Sequence, residues 1–318
     1  MHKIFITGGC GFIGSHLTEY IFNKYKNSKI YVYDKITYAA NIKNLENIIK
    51  SKRLKIIKKD LIDLKALKKF SINTDILIHA AAESHVDNSF NLTNDFIKTN
   101  VIGTKNVLDA CKYNKIKKII HISTDEIYGE IRKSSFSEKS RFNPSNPYSS
   151  SKAAAEMIIN GYIHSYKLPI IIVRSNNIFG TRQHPEKLIP GCCWSLIKRK
   201  KFTLHGNGQQ KRSFLYVEDF CEGVYKILTK GKIGEIYNIG SKFEYKNIDV
   251  LKIVAKENKV NFKNYLKYVK DRPFNDYRYS LNFNKVKKIG WRPKTKIEDK
   301  IKEINLWYKD NISRFQKR

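Results

Sequence analysis

An apolar run at residues 4–7 breaks into Thr7-Gly8-Gly9-Cys10-Gly11-Phe12-Ile13-Gly14, after which Leu17, Ile21 and Phe22 recur at helical spacing. A strand that passes into a helix over a glycine-rich loop belongs to a small set of folds, those in which helices wrap a parallel sheet. The alternation continues with apolar runs at 30–34, 54–57, 76–79, 119–123 and 170–174, each separated by a helical stretch. Runs that are apolar almost throughout suit strands covered on both faces.

The chain is therefore expected to be α/β: a Rossmann-type doubly wound parallel sheet with a smaller C-terminal substrate-binding lobe. After Arg174 the pattern loosens, and Pro185, Pro190, Pro273 and Pro293 punctuate shorter elements. Residues 1–174 are read as the nucleotide-binding domain and 175–318 as mainly the second lobe. A helix at 217–229 and a strand at 236–239 make 215–242 a segment that returns to the first domain. Glycines after the first strand let the backbone approach a pyrophosphate that also meets the helix N-terminus. Asp34 closes the second strand, about 20 residues beyond the loop, where a carboxylate accepts from ribose hydroxyls and repels a 2′-phosphate. That favours NAD over NADP, although Lys35 works in the opposite direction. Asp60, after the third strand, could reach the adenine.

The chain has 318 residues, 41% of them hydrophobic, enough for a sizeable core and against disorder. Its formal net charge of +32 comes from scattered lysines, with no basic tail. This is read as solvated surface charge that would attract anionic substrates, in preference to a nucleic-acid interface. Cys10, Cys111, Cys192, Cys193 and Cys221 show no metal-ligand spacing, and an odd count does not make a disulfide framework. No metal is expected, and the cysteines suit a reducing, cytoplasmic setting. The opening apolar strand is too short for a signal-peptide core or a membrane span.

Ser123-Thr124-Asp125-Glu126-Ile127-Tyr128-Gly129 follows a buried strand and puts paired carboxylates at its carboxyl end, where open α/β sheets place their ligands. Downstream, Tyr148 and Lys152 lie four residues apart and leave one face of a helix. An ammonium close to a phenol lowers the tyrosine pKa and makes it usable as a base toward a sugar hydroxyl. Two adjacent carboxyl groups disfavour each other's ionisation, so that one can remain an acid.

These motifs, with Ala80-Ala81-Ala82-Glu83-Ser84-His85-Val86-Asp87, Thr99-Asn100-Val101, Ser175-Asn176-Asn177, Pro185-Glu186-Lys187-Leu188-Ile189-Pro190 and Arg212-Ser213-Phe214-Leu215-Tyr216-Val217-Glu218-Asp219, cover essentially the whole length. The chain resembles the extended short-chain dehydrogenases/reductases, and within them the nucleoside-diphosphate-glucose 4,6-dehydratases that act on dTDP- or UDP-glucose. The resemblance implies a bound NAD that takes hydride from C4 of the glucose and returns it to C6. In that reading Tyr148 deprotonates the 4-hydroxyl, and Lys152 holds the phenolate and a nicotinamide-ribose hydroxyl. Thr124 bonds the oxygen at C4, Glu126 removes the C5 proton, and Asp125 protonates the departing 6-hydroxyl. The resemblance also implies cofactor contacts from Gly8, Gly11, Phe12, Ile13, Gly14, Asp34, Lys35, Asp60, Leu61, Ala80, Ala82, Ser84, Thr99 and Ile178. It implies sugar-nucleotide contacts from Ser84, Thr124, Asn177, Lys187, Leu188, Arg212, Asn247 and Arg272.

One stretch departs from the family pattern: Arg-Pro-Gly-His-Asp stands here as Arg272-Pro273-Phe274-Asn275-Asp276. Phe274 cannot adopt glycine's backbone range cheaply and Asn275 lacks an imidazole, so altered base or ribose contacts are expected. Thymidine is usual for the bacterial type, while other dehydratases use uridine, and the side chains do not decide between them. The resemblance further implies a homodimer through helices at 95–113 and 149–166. Two alternatives remain at this level. One is a nucleotide-sugar 4-epimerase or decarboxylase, which needs no acid at C6; the other is a non-catalytic RNA-binding relative.

Overall fold

The structure, a computed structural model, describes residues 2–315. Seven parallel strands form the main sheet: β1 His2–Thr7, β2 Ser28–Asp34, β3 Leu54–Lys58, β4 Ile76–His79, β5 Lys118–Thr124, β6 Ile170–Ser175 and, much later, β10 Ile236–Ile239. Their order is β10-β6-β5-β4-β1-β2-β3. The chain runs outward from β1 to β3 and then crosses back, so β4 pairs with the other side of β1. That reversal opens a crevice beyond the carboxyl ends of β1 and β4, the place where such sheets bind ligands.

The strands read as continuous apolar runs because each face has its own core. Ile4, Ile6, Ile30, Val32, Ile120, Ile122, Ile171 and Val173 point to one side. Phe5, Tyr33, Ile119, Ile170 and Ile172 point to the other. Alternate residues thus serve two hydrophobic layers. The first layer continues without a break into Phe214, Leu215, Val250, Leu251 and Trp291, so the second lobe shares a core with the sheet. The helix Val217–Lys230 and β10 bring the chain back, β10 pairing in parallel with β6.

The remaining strands are short and belong to the lobe. β7 Asn177–Phe179, β9 Lys211–Tyr216 and β11 Glu244–Lys246 form a three-stranded sheet, and β8 Phe202–His205 pairs with β12 Leu266–Val269. Among the described residues no helix is long and apolar enough to cross a membrane, and no group of His, Cys, Asp and Glu could hold a metal ion. All five cysteines are buried and unpaired.

The helix expected over 95–113 is not one regular element. An α-helical turn Thr93–Phe96 passes into a π-helical segment Ile97–Ile102 and then into the α-helix Gly103–Tyr113. Asn100 occupies the wide turn. Its amide accepts from Glu83 N–H at 2.9 Å and donates to Glu83 O at 3.0 Å and Ser151 Oγ at 2.9 Å. Widened turns of this kind concentrate at functional sites. Here one ties the segment after β4 to the helix that carries Tyr148.

Candidate active site

The helix Phe12–Lys24 starts at Gly11 with no side-chain cap and no acidic residue in its first turn, which leaves its first N–H groups available to an anion. Gly14 permits the tight approach of loop to helix: a Cβ there would stand 1.9 Å from Gly8 O. Asp34 is buried, and its two oxygens accept from Cys10 N–H at 2.9 Å and Ile36 N–H at 2.7 Å. Each oxygen keeps a free lone pair for a ribose hydroxyl. Lys35 pairs with Asp60 at 2.9 Å, so its charge is directed to that carboxylate.

Every residue assigned to the dinucleotide from the sequence lines one cavity of about 290 Å³, from the Gly8 loop through Asp34, Asp60 and Ala80 to Thr124, Tyr148 and Lys152. A second cavity of about 500 Å³ adjoins it, sharing Glu126, Asn177, Ile178 and Lys187 as walls. Leu188, Arg212, Asn247 and Arg272 line this second space. Ser84 and Thr124 belong to the first, near the junction. The donor set and the uncapped helix end fit NAD. Gly14→Ala should abolish NAD binding, read by titration of the purified protein with the cofactor; retained affinity would show that the loop does not cradle it.

The reactive groups meet where the cavities join. Asp125 is 2% exposed, and burial first, then Glu126, raise its pKa to about 7. Glu126, half-buried, is also shifted upward by burial. Its carboxylate accepts from Asn146 Nδ2 at 3.4 Å, while Asn146 Oδ1 caps Ser149 N–H at 2.9 Å. One asparagine thus starts the helix Pro147–Tyr166 and orients Glu126. Asn146 received no role from the sequence, although Asn followed by Pro is a helix-start signal.

Tyr148 is 9% exposed, with its phenol close to the Thr124 hydroxyl. The expectation that Lys152 lowers the tyrosine pKa is corrected here. Lys152 Nζ donates to Ile122 O at 2.8 Å, and the Tyr148 pKa lies above its ordinary value through burial and the nearby Glu126. Burial also brings Lys152 itself down to about 8. The phenol is accordingly protonated in the free protein.

Another set of residues missed in the sequence lies one layer below. Glu156, one turn beyond Lys152, is fully buried with Arg174 of β6: Nε donates at 3.1 Å to both carboxylate oxygens and a terminal nitrogen at 2.6 Å. Ser123 Oγ donates to the same carboxylate at 2.5 Å, and Arg174 donates to Tyr128 Oη at 2.5 Å. This network locks the helix bearing Tyr148 and Lys152 to the strands that end in Thr124 and Ser175.

Contacts across the cleft close the substrate side. Lys187 Nζ donates to Ser84 O at 2.6 Å, and Arg272 pairs with Asp87. Arg212 is buried and stacks on Tyr279, donating to Asp276 O at 2.8 Å and Asn275 Oδ1 at 3.2 Å. Phe274 stays out of the left-handed backbone range: it is not among the residues with positive φ, and its ring is 51% exposed at the cavity wall. Asn275 takes over an orienting task, holding Arg212 on one side and Asp271 at 2.9 Å on the other.

A Rossmann-type sheet, a Tyr-x-x-x-Lys helix and an acid pair at the mouth of a second cavity define an extended short-chain dehydrogenase/reductase with an NAD site. The chain belongs to the family described as GDP-mannose 4,6 dehydratase, whose profile matches residues 5–304. It is 40% identical to the dTDP-D-glucose 4,6-dehydratase of Dictyostelium discoideum, over 98% of this chain and 82% of that one. It is 41% identical to an Arabidopsis thaliana trifunctional enzyme whose first named activity is UDP-glucose 4,6-dehydratase, over 97% of this chain and 47% of the longer plant protein. The crystal structure of dTDP-glucose 4,6-dehydratase DesIV from Streptomyces venezuelae, with NAD and TYD bound, superposes with a TM-score of 0.95 at 34% identity, covering 98% of both chains.

Proposed function

We propose that this chain is an NAD-dependent nucleotide-sugar 4,6-dehydratase that converts dTDP-glucose or UDP-glucose to the 4-keto-6-deoxy sugar nucleotide and water. The observation that carries the reading is the pairing of Asp125, buried with its pKa raised to about 7, with Glu126 beside the Tyr148 phenol. An epimerase or decarboxylase has no use for that acid.

Gly8 to Gly14, Asp34, Asp60, Ala80, Ala82 and Thr99 would hold NAD, all of them from residues 1–174, the domain to which 215–242 returns, while the remainder of 175–318 would mainly hold the sugar nucleotide. When bound, NAD supplies a reversible hydride acceptor and, in its oxidised form, a positive charge that favours phenolate. Tyr148 takes the proton from the 4-hydroxyl, and Thr124, close to the phenol, holds the oxygen at C4. Once C4 is a ketone the C5 proton is acidic, and Glu126 removes it. Asp125 gives its proton to O6 as the C6–O6 bond breaks, so the group leaves as water. Lys187, Arg212 and Arg272 suit the diphosphate, Arg as a planar fork and Lys as a point charge. Arg272 meets Asp87 through Nε and Nη2, which leaves Nη1 for the diphosphate.

The assembly we infer is a homodimer through the helices at 93–113 and 147–166, which leave Ile97, Ile102, Tyr113, Met157 and Tyr166 between 44% and 67% exposed. Buried free thiols fit a reducing, cytoplasmic setting. Incubation with dTDP-glucose and UDP-glucose separately, with products identified by mass, tests the activity and decides the base. Tyr148→Phe should eliminate reduction of NAD by substrate; normal reduction in that variant would assign the base to another group.

A further inference from the structure

Asp125 is gripped from behind by one amide. Asn176, 4% exposed between β6 and β7, donates from Nδ2 to Asp125 Oδ2 at 2.6 Å. Its Oδ1 accepts from Ser241 N–H at 3.1 Å, and its own N–H donates to Ile239 O at 3.3 Å. The Ser241 contact fixes the amide's orientation, because the flipped form would set NH₂ against N–H and a carbonyl against a carboxyl oxygen. Gly240 shapes the seat: a Cβ there would stand 2.4 Å from Asn176 Oδ1, so the segment after β10 approaches this closely only as glycine.

We propose that Asn176 is a positioning residue that confines the transferable proton of Asp125 to Oδ1. Of the two oxygens of a protonated carboxyl the carbonyl oxygen is the stronger acceptor, so the N–H held at 2.6 Å on Oδ2 favours the hydrogen on the other oxygen. Protonated Asp125 therefore carries its hydrogen on Oδ1, the oxygen 3.5 Å from Thr124 Oγ1, on the side of the groups that meet the sugar. As O6 takes that proton and the C6–O6 bond breaks, the Asn176 N–H stabilises the carboxylate left behind. The charged and titratable groups around Asp125 are Glu126 on its own turn, Arg212 from β9 and the Tyr148 phenol from the helix. Glu126 opposes its ionisation and Arg212 favours it, while Asn176 favours it without carrying charge.

This inference rests on the dehydratase reading, and the experiment separates the two. Asn176→Leu keeps the volume and donates nothing. The rate of water loss is followed in single turnovers across pH, by formation of the keto sugar. Water loss slows at alkaline pH as Asp125 ionises; without the Asn176 donor the carboxylate is less stable, so that limb should move up by about one pH unit while the plateau rate drops roughly tenfold. Should the leucine variant fail to fold by circular dichroism, Asn176→Ala carries the same test. A lowered plateau with an unmoved limb is what a merely structural residue gives, and it would overturn the assignment. Wild-type protein that makes no keto sugar from either nucleotide would remove the dehydratase reading itself; keto sugar with an unmoved limb removes only the role of Asn176.

Discussion

Asp125→Asn is expected to oxidise the substrate at C4 and then stall, losing about 10²- to 10⁴-fold in the rate of water loss, the usual contribution of a positioned general acid. The substitution keeps the shape of the side chain and removes the proton that O6 needs. Reduced-nicotinamide absorbance should build up on mixing with substrate and persist. The pH profile adds a second signature. With the Asp125 pKa raised to about 7 by burial and by Glu126, the acid form thins out as pH climbs past that value. Wild-type water loss should then decline about tenfold per pH unit, and the asparagine variant should show no such limb. At the acid end Glu126 must be ionised to receive the C5 proton, and its pKa is also raised, so the wild-type profile is a bell. Turnover of the variant at the wild-type rate would remove Asp125 from the chemistry.

Glu156→Ala should destabilise the protein by about 3–5 kcal/mol, because it strands the Arg174 guanidinium in a site only 1% exposed. Urea midpoints at constant slope measure this. The double change Glu156→Leu with Arg174→Met removes both charges together, and most of the lost stability should return, since an apolar pair of similar bulk is tolerated where a lone ion is not. Catalysis should remain impaired in the double variant, because Ser123 and Tyr128 lose the partners that fix the strand end below Thr124. A single variant within about 1 kcal/mol of wild type would mean the pair does not anchor the helix.

The sheet was legible because its strands are buried on both faces and so announce themselves as apolar blocks, and the Gly8–Gly14 loop was legible because chain direction changes there under a tight steric demand. The acid pair and the Tyr148–Lys152 spacing were equally plain, being local in the chain. What spacing could not show is where a side chain ends. Lys152 lies four residues from Tyr148, yet its ammonium goes to the carbonyl of Ile122. Asn146 serves Glu126 across 20 residues, and Asn176 serves Asp125 across 51. Glu156 finds Arg174 on another element altogether. Partnerships of this kind arise from tertiary packing, and no periodicity records them. The π-helical widening at Ile97–Ile102 is hidden for the same reason: it answers to Asn100 reaching Glu83 and Ser151, not to a local signal.

The sheet acquires its last strand, Ile236–Ile239, long after the other six. During synthesis from the N-terminus, domains fold as units while the rest of the chain is still emerging. A nascent chain that has just completed Ser175 possesses its glycine loop, its phenol and both carboxylates, but Ile239 O and Ser241 N–H, against which Asn176 is braced, do not yet exist. The grip on Asp125 is thus complete only once Ser241 has been made and β10 has paired with β6.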